Sequence, residues 1–220
     1  TSTNMNMNEV LASLASGGFS TRARPERAPR MRGESKGSKR AVIHPNDHVN
    51  CSQSSNDVIP TAMQLSCALE VKNTLLPALG HLQSVLARKG KQFHSVIKTG
   101  RTHMMDAVPV RLGDEFQSYA TLVKQTSKRL SDASQLLCHL PLGGTAAGTG
   151  LNAHPQFAKR VIVRLAKETK LPLKEAKDHV AAQSCPLAAL ALSSSLKEVA
   201  AGLTKIANDI RLMGSGPTAG

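Results

Sequence analysis

Four stretches of this sequence repeat their large apolar residues at spacings of three, four or seven positions. That spacing restricts the fold to long helices packed on one another. The first stretch carries Leu65, Leu69, Leu76, Leu79 and Leu86, and the second Phe116, Tyr119, Val123 and Leu130. Phe157, Val161 and Leu165 mark the third, and Val199, Leu203, Ile206 and Ile210 the fourth. Aromatic residues make up only 2% of the 220, with one Tyr and no Trp. The core is therefore expected from Leu, Val, Ile, Ala and Met, which suits helix-on-helix packing better than a β-sandwich. The expected class is all-α, a bundle of long helices joined by polar connections, without hairpin strand pairs. Function is expected at the helix ends.

Local signals set the expected boundaries. A short helix is read at 4–15. Asn56 or Asp57 is expected to cap the first long helix, with Pro60 in its first turn. Pro77 should kink or divide it. Residues 98–112 read as a polar connection, and Asp114 and Glu115 complement the dipole of a helix starting near Gly113. Another helix starts near Pro155. The last runs from about Val180 to Met213, broken near its start by Pro186 and ended by Gly214. No apolar run reaches membrane-spanning length.

The net charge is +13, and its distribution is uneven. Residues 21–40 hold eight Lys or Arg against Glu26 and Glu34, with two prolines, two glycines and almost no large apolar side chains. Such a segment is expected to be a solvated loop. Phosphate neutralisation on nucleic acid is the alternative, disfavoured because no aromatic is interleaved for base stacking. The four cysteines, Cys51, Cys67, Cys138 and Cys185, stand far apart without a C-x-x-C. They are expected to be reduced, buried thiols. Thr1 in place of Met, and a closing Gly-Ser-Gly-Pro-Thr-Ala-Gly, lead to the expectation that both ends of the parent protein lie outside these residues.

Several polar runs carry chemistry. Residues 44–57, from His44 to Asp57, are almost wholly polar and are expected to face water, ligand or another subunit. His44 and His48 have the spacing of two metal ligands on a helix, but Pro45 argues against a helix and no third ligand is evident. Ser54-Ser55-Asn56-Asp57 before a helix is either an ordinary cap or a carboxylate site built from hydroxyls, an amide and free N–H groups. Gly100-Arg101-Thr102-His103 places between two helices the side chain whose ordinary pKa, about 6.5, lies closest to neutrality. The run Gly143-Gly144-Thr145-Ala146-Ala147-Gly148-Thr149-Gly150 lacks the Lys-Ser/Thr ending of a P-loop, so a tight turn with close backbone approach is expected.

Taken in order, six segments resemble class II fumarase of the fumarase/aspartase superfamily. They are Asn4 to Val10, His44 to Asn50, Ser52 to Asp57, Gly100 to His103 with Asp106-Ala107, Gly143 to Asn152, and Lys205 to Arg211. The resemblance implies reversible hydration of fumarate to (S)-malate, a step of the tricarboxylic acid cycle, with no metal and no organic cofactor. It implies that Thr1, Ser54, Ser55, Asn56 and Thr102 bind substrate carboxylates, and that His103 is the acid/base group acting on the C2 hydroxyl through a water. It makes His44, Pro45, Asn46 and Asp47 a secondary dicarboxylate site. It implies a homotetramer with active sites shared between subunits, in the cytosol or mitochondrial matrix; from the sequence itself no membrane partner is expected and nucleic acid is disfavoured. Residues 1–53 would end the family's N-terminal domain, with a basic loop at 18–42, and 54–220 would be an incomplete central bundle. The family's Gly-Ser-Ser-x-Met-Pro-x-Lys-x-Asn loop, which carries the proton-abstracting serine, follows beyond Gly220.

Two other readings compete. An aspartate ammonia-lyase would typically carry Gln where His103 stands. A non-catalytic, degenerate paralogue serving as scaffold or basic binding module is motivated by departures from the family pattern at 178–187, Asp178-His179-Val180-Ala181 and Pro186-Leu187, and by the basic segment. Residues 1–220 alone are expected to be inactive, an expectation that malate dehydration by the purified fragment, free of host enzyme, would overturn.

Overall fold

The structure, a computed structural model, describes residues 8–12 and 43–215. Among them, one helical turn at 8–12 covers part of the helix read at 4–15, and a π-helical turn spans Pro45–Val49. The basic segment 21–40 lies outside the described residues.

Helix α1 (Ser55–Glu70) continues through a π-helical turn (Val71–Leu75) into α2 (Leu76–Gln92). Pro77 does divide the pattern, by placing a wider turn just before itself where its ring would otherwise crowd the preceding carbonyls. The thirty-eight residues from Ser55 to Gln92 make a rod about 57 Å long at the helical rise. The cap of α1 is Ser54, not Asn56 or Asp57, and Pro60 falls inside the helix rather than in its first turn. The reason is a capping box: Ser54 Oγ accepts the Asn56 and Asp57 N–H groups, while the Asp57 carboxylate accepts the Ser54 N–H at 3.0 Å.

A hairpin follows, where the sequence led us to expect none. β1 (Ile97–Thr102) pairs antiparallel with β2 (Met105–Arg111), from Ile97 opposite Arg111 to Thr102 opposite Met105. Its two turn residues, His103 and Met104, both have positive φ (53° and 60°), the geometry that matches strand twist. The usual Asn-Gly signal is missing because two ordinary side chains occupy those positions. Gly100 sits where the register shifts, and Pro109 stands opposite Thr99 in a strand that needs no donor there.

Helix α3 (Leu112–Leu136) returns along α2, and α6 (Leu187–Met213) packs against α3. Between them lie β3 (His139–Leu140), the glycine-rich loop, α4 (Phe157–Thr169), β4 (Lys174–Glu175), parallel to β3, and α5 (His179–Ser184). Pro186 breaks α5 from α6 as expected, holding Cys185 extended (φ −144°, ψ 124°).

The core runs along α2, α3 and α6 through Leu79, Leu86, Val123, Leu130, Leu192, Val199 and Ile206. Leu130, Leu137 and Leu140 are fully enclosed. No Met is among the buried core residues described, and Met63, Met104 and Met105 are exposed. Ile210, expected in the α6 stripe, is 44% exposed. Of the four free cysteines only Cys138 is buried; Cys51, Cys67 and Cys185 are exposed. Burial pushes the Cys138 thiol above its ordinary pKa, against the opposing pull of Lys72.

Two polar features break the apolar pattern. The buried face of α1 is Asp57, Thr61, Gln64 and Ala68, while Leu65 and Leu69 are only partly buried. Tyr119 on α3 donates to Asp209 Oδ2 on α6 at 3.0 Å, and Lys205 bonds the same carboxylate. Burial, then the Asp209 bond, push the Tyr119 phenol well above its ordinary pKa.

α2 and α3 approach closely at Gly90 and Gly113. A Cβ on Gly113 would lie 2.4 Å from the Gly90 carbonyl oxygen and 2.7 Å from the His94 Cα. Gly113→Ala is therefore expected to cost about 1–3 kcal/mol, read as a fall in denaturation midpoint; an unchanged midpoint would show that the helix ends part freely.

Candidate active-site segments

The capping turn at 52–57 and the glycine-rich loop are tied together at several points. Asp57 is fully buried, contrary to the expectation that this run faces outward. Its Oδ1 accepts the Ser54 N–H, and its Oδ2 accepts Gly143 N–H at 3.0 Å and Thr145 N–H at 3.1 Å. A buried carboxylate tolerates loss of water only if donors replace it, and here backbone amides do so. Asn56 Nδ2 donates to the Ala146 carbonyl at 2.8 Å, and Ser52 Oγ to the Asn152 carbonyl at 2.5 Å. Asn56 is thus half engaged: its side-chain oxygen accepts no hydrogen bond from the described residues. The Ser55 hydroxyl makes no hydrogen bond among the described residues.

The loop itself turns through positive φ at Gly143, Thr145, Gly148, Gly150 and Asn152. The close approach expected of its glycines is real. A Cβ on Gly148 would stand 2.6 Å from both Cα and N of Val180, where α5 lies against the loop. Gln183, also on α5, donates from Nε2 to the Thr145 carbonyl at 2.8 Å. Beside the loop, a polar cavity of about 210 Å³ is lined by Gly148, Thr149, Gly150, His154, Glu175 and His179. The His179 Nε2 sits 3.2 Å from the Leu142 carbonyl and 3.4 Å from Glu175 Oε1. Neither Asp57 nor His179 stood out in the sequence as a structural tie. Asp three residues after a serine cap was the available signal for the first; nothing local marks the second.

Thr102 and His103 lie at the hairpin, exposed. Lys98 Nζ, 3.1 Å from Glu115 Oε1, fastens the hairpin to the first turn of α3, and Arg101 pairs with Asp106 at 3.9 Å. The hairpin precedes the N-terminus of α3, whereas the Asp57-bound loop follows its C-terminus. The two places are therefore separated by the length of α3, twenty-five residues or about 37 Å. One chain does not bring His103 to Ser54, Ser55 and Asn56.

His44 begins the third place. Its N–H donates to His48 Nδ1 at 2.9 Å, and its own Nδ1 accepts the Asn46 N–H at 3.3 Å. Pro45, Asn46 and Asp47 continue into the π-helical turn, so Pro45 starts a helical turn where the sequence led us to expect none. Among the described residues no three His, Cys, Asp or Glu side chains gather as a metal site. Thr1 lies outside the described residues.

Long helices meeting at polar turns define a helical-bundle scaffold. A family described as lyase matches residues 1–220, and the chain belongs to that family. Within it, the chain resembles class II fumarate hydratases. It is 47% identical over all 220 residues to the class II fumarate hydratase of Methylorubrum extorquens and 48% to that of Thermosynechococcus vestitus, covering 44% of each. It is 46% identical to the mitochondrial fumarate hydratase of Rattus norvegicus, covering 41% of it. Among solved structures, class II fumarase from Schistosoma mansoni matches with a TM-score of 0.84 and 39% identity, over 99% of this chain and 46% of that one. The chain thus spans under half the length of these relatives.

Ser54 and Ser55 are separable by measurement. Ser54→Ala should cost about 1 kcal/mol of stability through loss of the cap, while Ser55→Ala, which breaks no hydrogen bond, should leave the melting temperature unchanged. Equal effects on stability would count against this division.

Proposed function

We propose that the protein containing this chain is a fumarate hydratase that adds water reversibly to fumarate to give (S)-malate, the reaction of the tricarboxylic acid cycle. The names of relatives aligned along the full 220 residues support this reading. So does the chemistry of the two places described above. At the start of α1, hydroxyls, an amide and the helix dipole converge, a suitable receptor for a carboxylate. At the hairpin, a hydroxyl and an imidazole stand side by side, suited to binding a second carboxylate and moving a proton.

In this reading Ser54, Ser55, Asn56 and Thr102, with Thr1, bind the two carboxylates, and His103 handles the C2 hydroxyl through a water. Holding the carboxylates by donors also stabilises charge that develops on the substrate as the C3 proton leaves. His44, Pro45, Asn46 and Asp47 form a secondary dicarboxylate site around the π-helical turn. Residues 54–220 belong to a central bundle and 1–53 to the end of a preceding domain.

The single observation that carries the assembly is the separation of His103 from Ser54–Asn56 along α3. A site using both must draw on different copies, and a homotetramer with shared sites supplies them. Exposed apolar residues on the rods support the same reading: Ile59 and Met63 on α1, and Leu187, Leu190 and Ile210 on α6, are left for neighbouring helices. The compartment is cytosol or mitochondrial matrix, in keeping with bacterial and mitochondrial relatives.

The test is fumarate hydration by the full-length protein, with aspartate assayed in parallel. Fumarate turnover without aspartate turnover is expected, and the reverse would sink the hydratase reading. His103→Asn should cut kcat by about 10²–10⁴-fold. Co-assembly of His103→Asn subunits with Ser55→Ala subunits should regain part of the activity, because some sites then receive both native segments. Mixtures no more active than either parent would rule out sharing.

A further inference from the structure

We infer that Asp57 is a positioning residue for substrate: its buried carboxylate joins the Ser54–Asn56 turn and the 143–146 loop into one rigid carboxylate-binding unit. The inference rests on the reading of Ser54–Asn56 as substrate ligands. Asp57 has no cationic partner among the described hydrogen bonds and ion pairs. Its partners among the described residues are backbone N–H groups, from Ser54 on one oxygen and from Gly143 and Thr145 on the other. Side-chain charge here does not reach solvent, since the residue is fully buried.

The arrangement gives each oxygen a different task. Oδ1 holds the backbone of Ser54, the residue whose hydroxyl caps α1. Oδ2 holds two amides of the loop whose Ala146 carbonyl receives Asn56 Nδ2. Movement of the loop therefore moves the Asn56 side chain, and movement of the cap moves Ser54. From the far side, Gln183 holds the Thr145 carbonyl. The loop is clamped between α1 and α5, and Asp57 is the link that couples it to the ligand-bearing turn. Burial alone would suit any structural capping residue. The second oxygen, spent on a loop eighty-six residues away, is what a plain cap does not need.

Asparagine is the discriminating substitution. It keeps size and shape, but its NH2 must face either Ser54 N–H or the Gly143 and Thr145 N–H groups, donor against donor. In the full-length protein, Asp57→Asn should raise KM for both fumarate and malate about tenfold or more, the scale of one unsatisfied buried donor. Turnover at saturation should stay within about threefold, because His103 is untouched. Asp57→Glu, which keeps the charge but lengthens the arm, should not restore KM. A lowered melting temperature with KM unchanged would make Asp57 merely structural and overturn the inference. So would a fall in kcat alone.

Should Asp57→Asn fail to fold, Gln183→Met supplies the same reading more gently. It releases the Thr145 carbonyl and should raise KM about threefold; unchanged KM would equally overturn the coupling. Wild-type turnover is measured first, so absence of fumarate hydration there counts against the functional reading. Amide hydrogen exchange then reads the clamp without turnover: in either variant, protection should fall at Ser54, Gly143 and Thr145 together. A fall confined to one side of the clamp would show that the turn and the loop are independent.

Discussion

A carboxylate taken fully out of water is tolerated only where the fold replaces the lost hydration with donors. Asp57 meets that condition with three backbone amides, two of them from a loop that follows α3. The loop must therefore be in place for α1 to begin where it does, and α3 must end where it does for the loop to reach. Around this constraint stand the Ser54 cap and the clamp by Gln183 on the Thr145 carbonyl. The apolar core along α2, α3 and α6 supplies the bulk of the burial. The Asp57 contacts set where the ends of those helices meet.

The long helices then act as spacers. They place the His103 hairpin at one end of α3 and the capping turn at the other, a helix length apart. Rods of this length hold that separation fixed, because a hydrogen-bonded helix keeps its rise over tens of ångströms. The Tyr119–Asp209–Lys205 contact and the 2.5 Å bond of Arg129 to Glu198 hold α3 and α6 in register. Both add direction to an interface that apolar side chains alone would leave free to slide.

Much of the helical architecture was legible from the spacing of apolar residues. The rods, the division before Pro77 and the break at Pro186 rest on local chemistry: a 3.6-residue period, a ring without an N–H, and the extended residue before it. The hairpin was not legible. His103 and Met104 adopt positive φ without glycine, so no local preference announces the turn; pairing of the flanking strands imposes it. The inward face of α1 was misread for a related reason. Leu65 and Leu69 carry the apolar signal, yet Asp57, Thr61 and Gln64 are the more deeply buried; Asp57 is so because it meets backbone amides of the glycine-rich loop rather than another apolar helix.

The candidate site divides along the same line. Side chains able to carry chemistry were visible from residue type and order, since hydroxyls, an amide and an imidazole advertise themselves wherever they stand, and the family resemblance implied roles for them. Their arrangement belongs to the tertiary structure. Only the fold shows that Asp57 is buried and bridging rather than exposed and capping, that Asn56 is half committed to Ala146, and that His103 stands a helix length from Ser54. Sequence alone determined the helices and the chemical inventory, because periodicity and side-chain chemistry are local. Tertiary structure decided burial, coupling and distance, because each depends on contacts between residues remote along the chain.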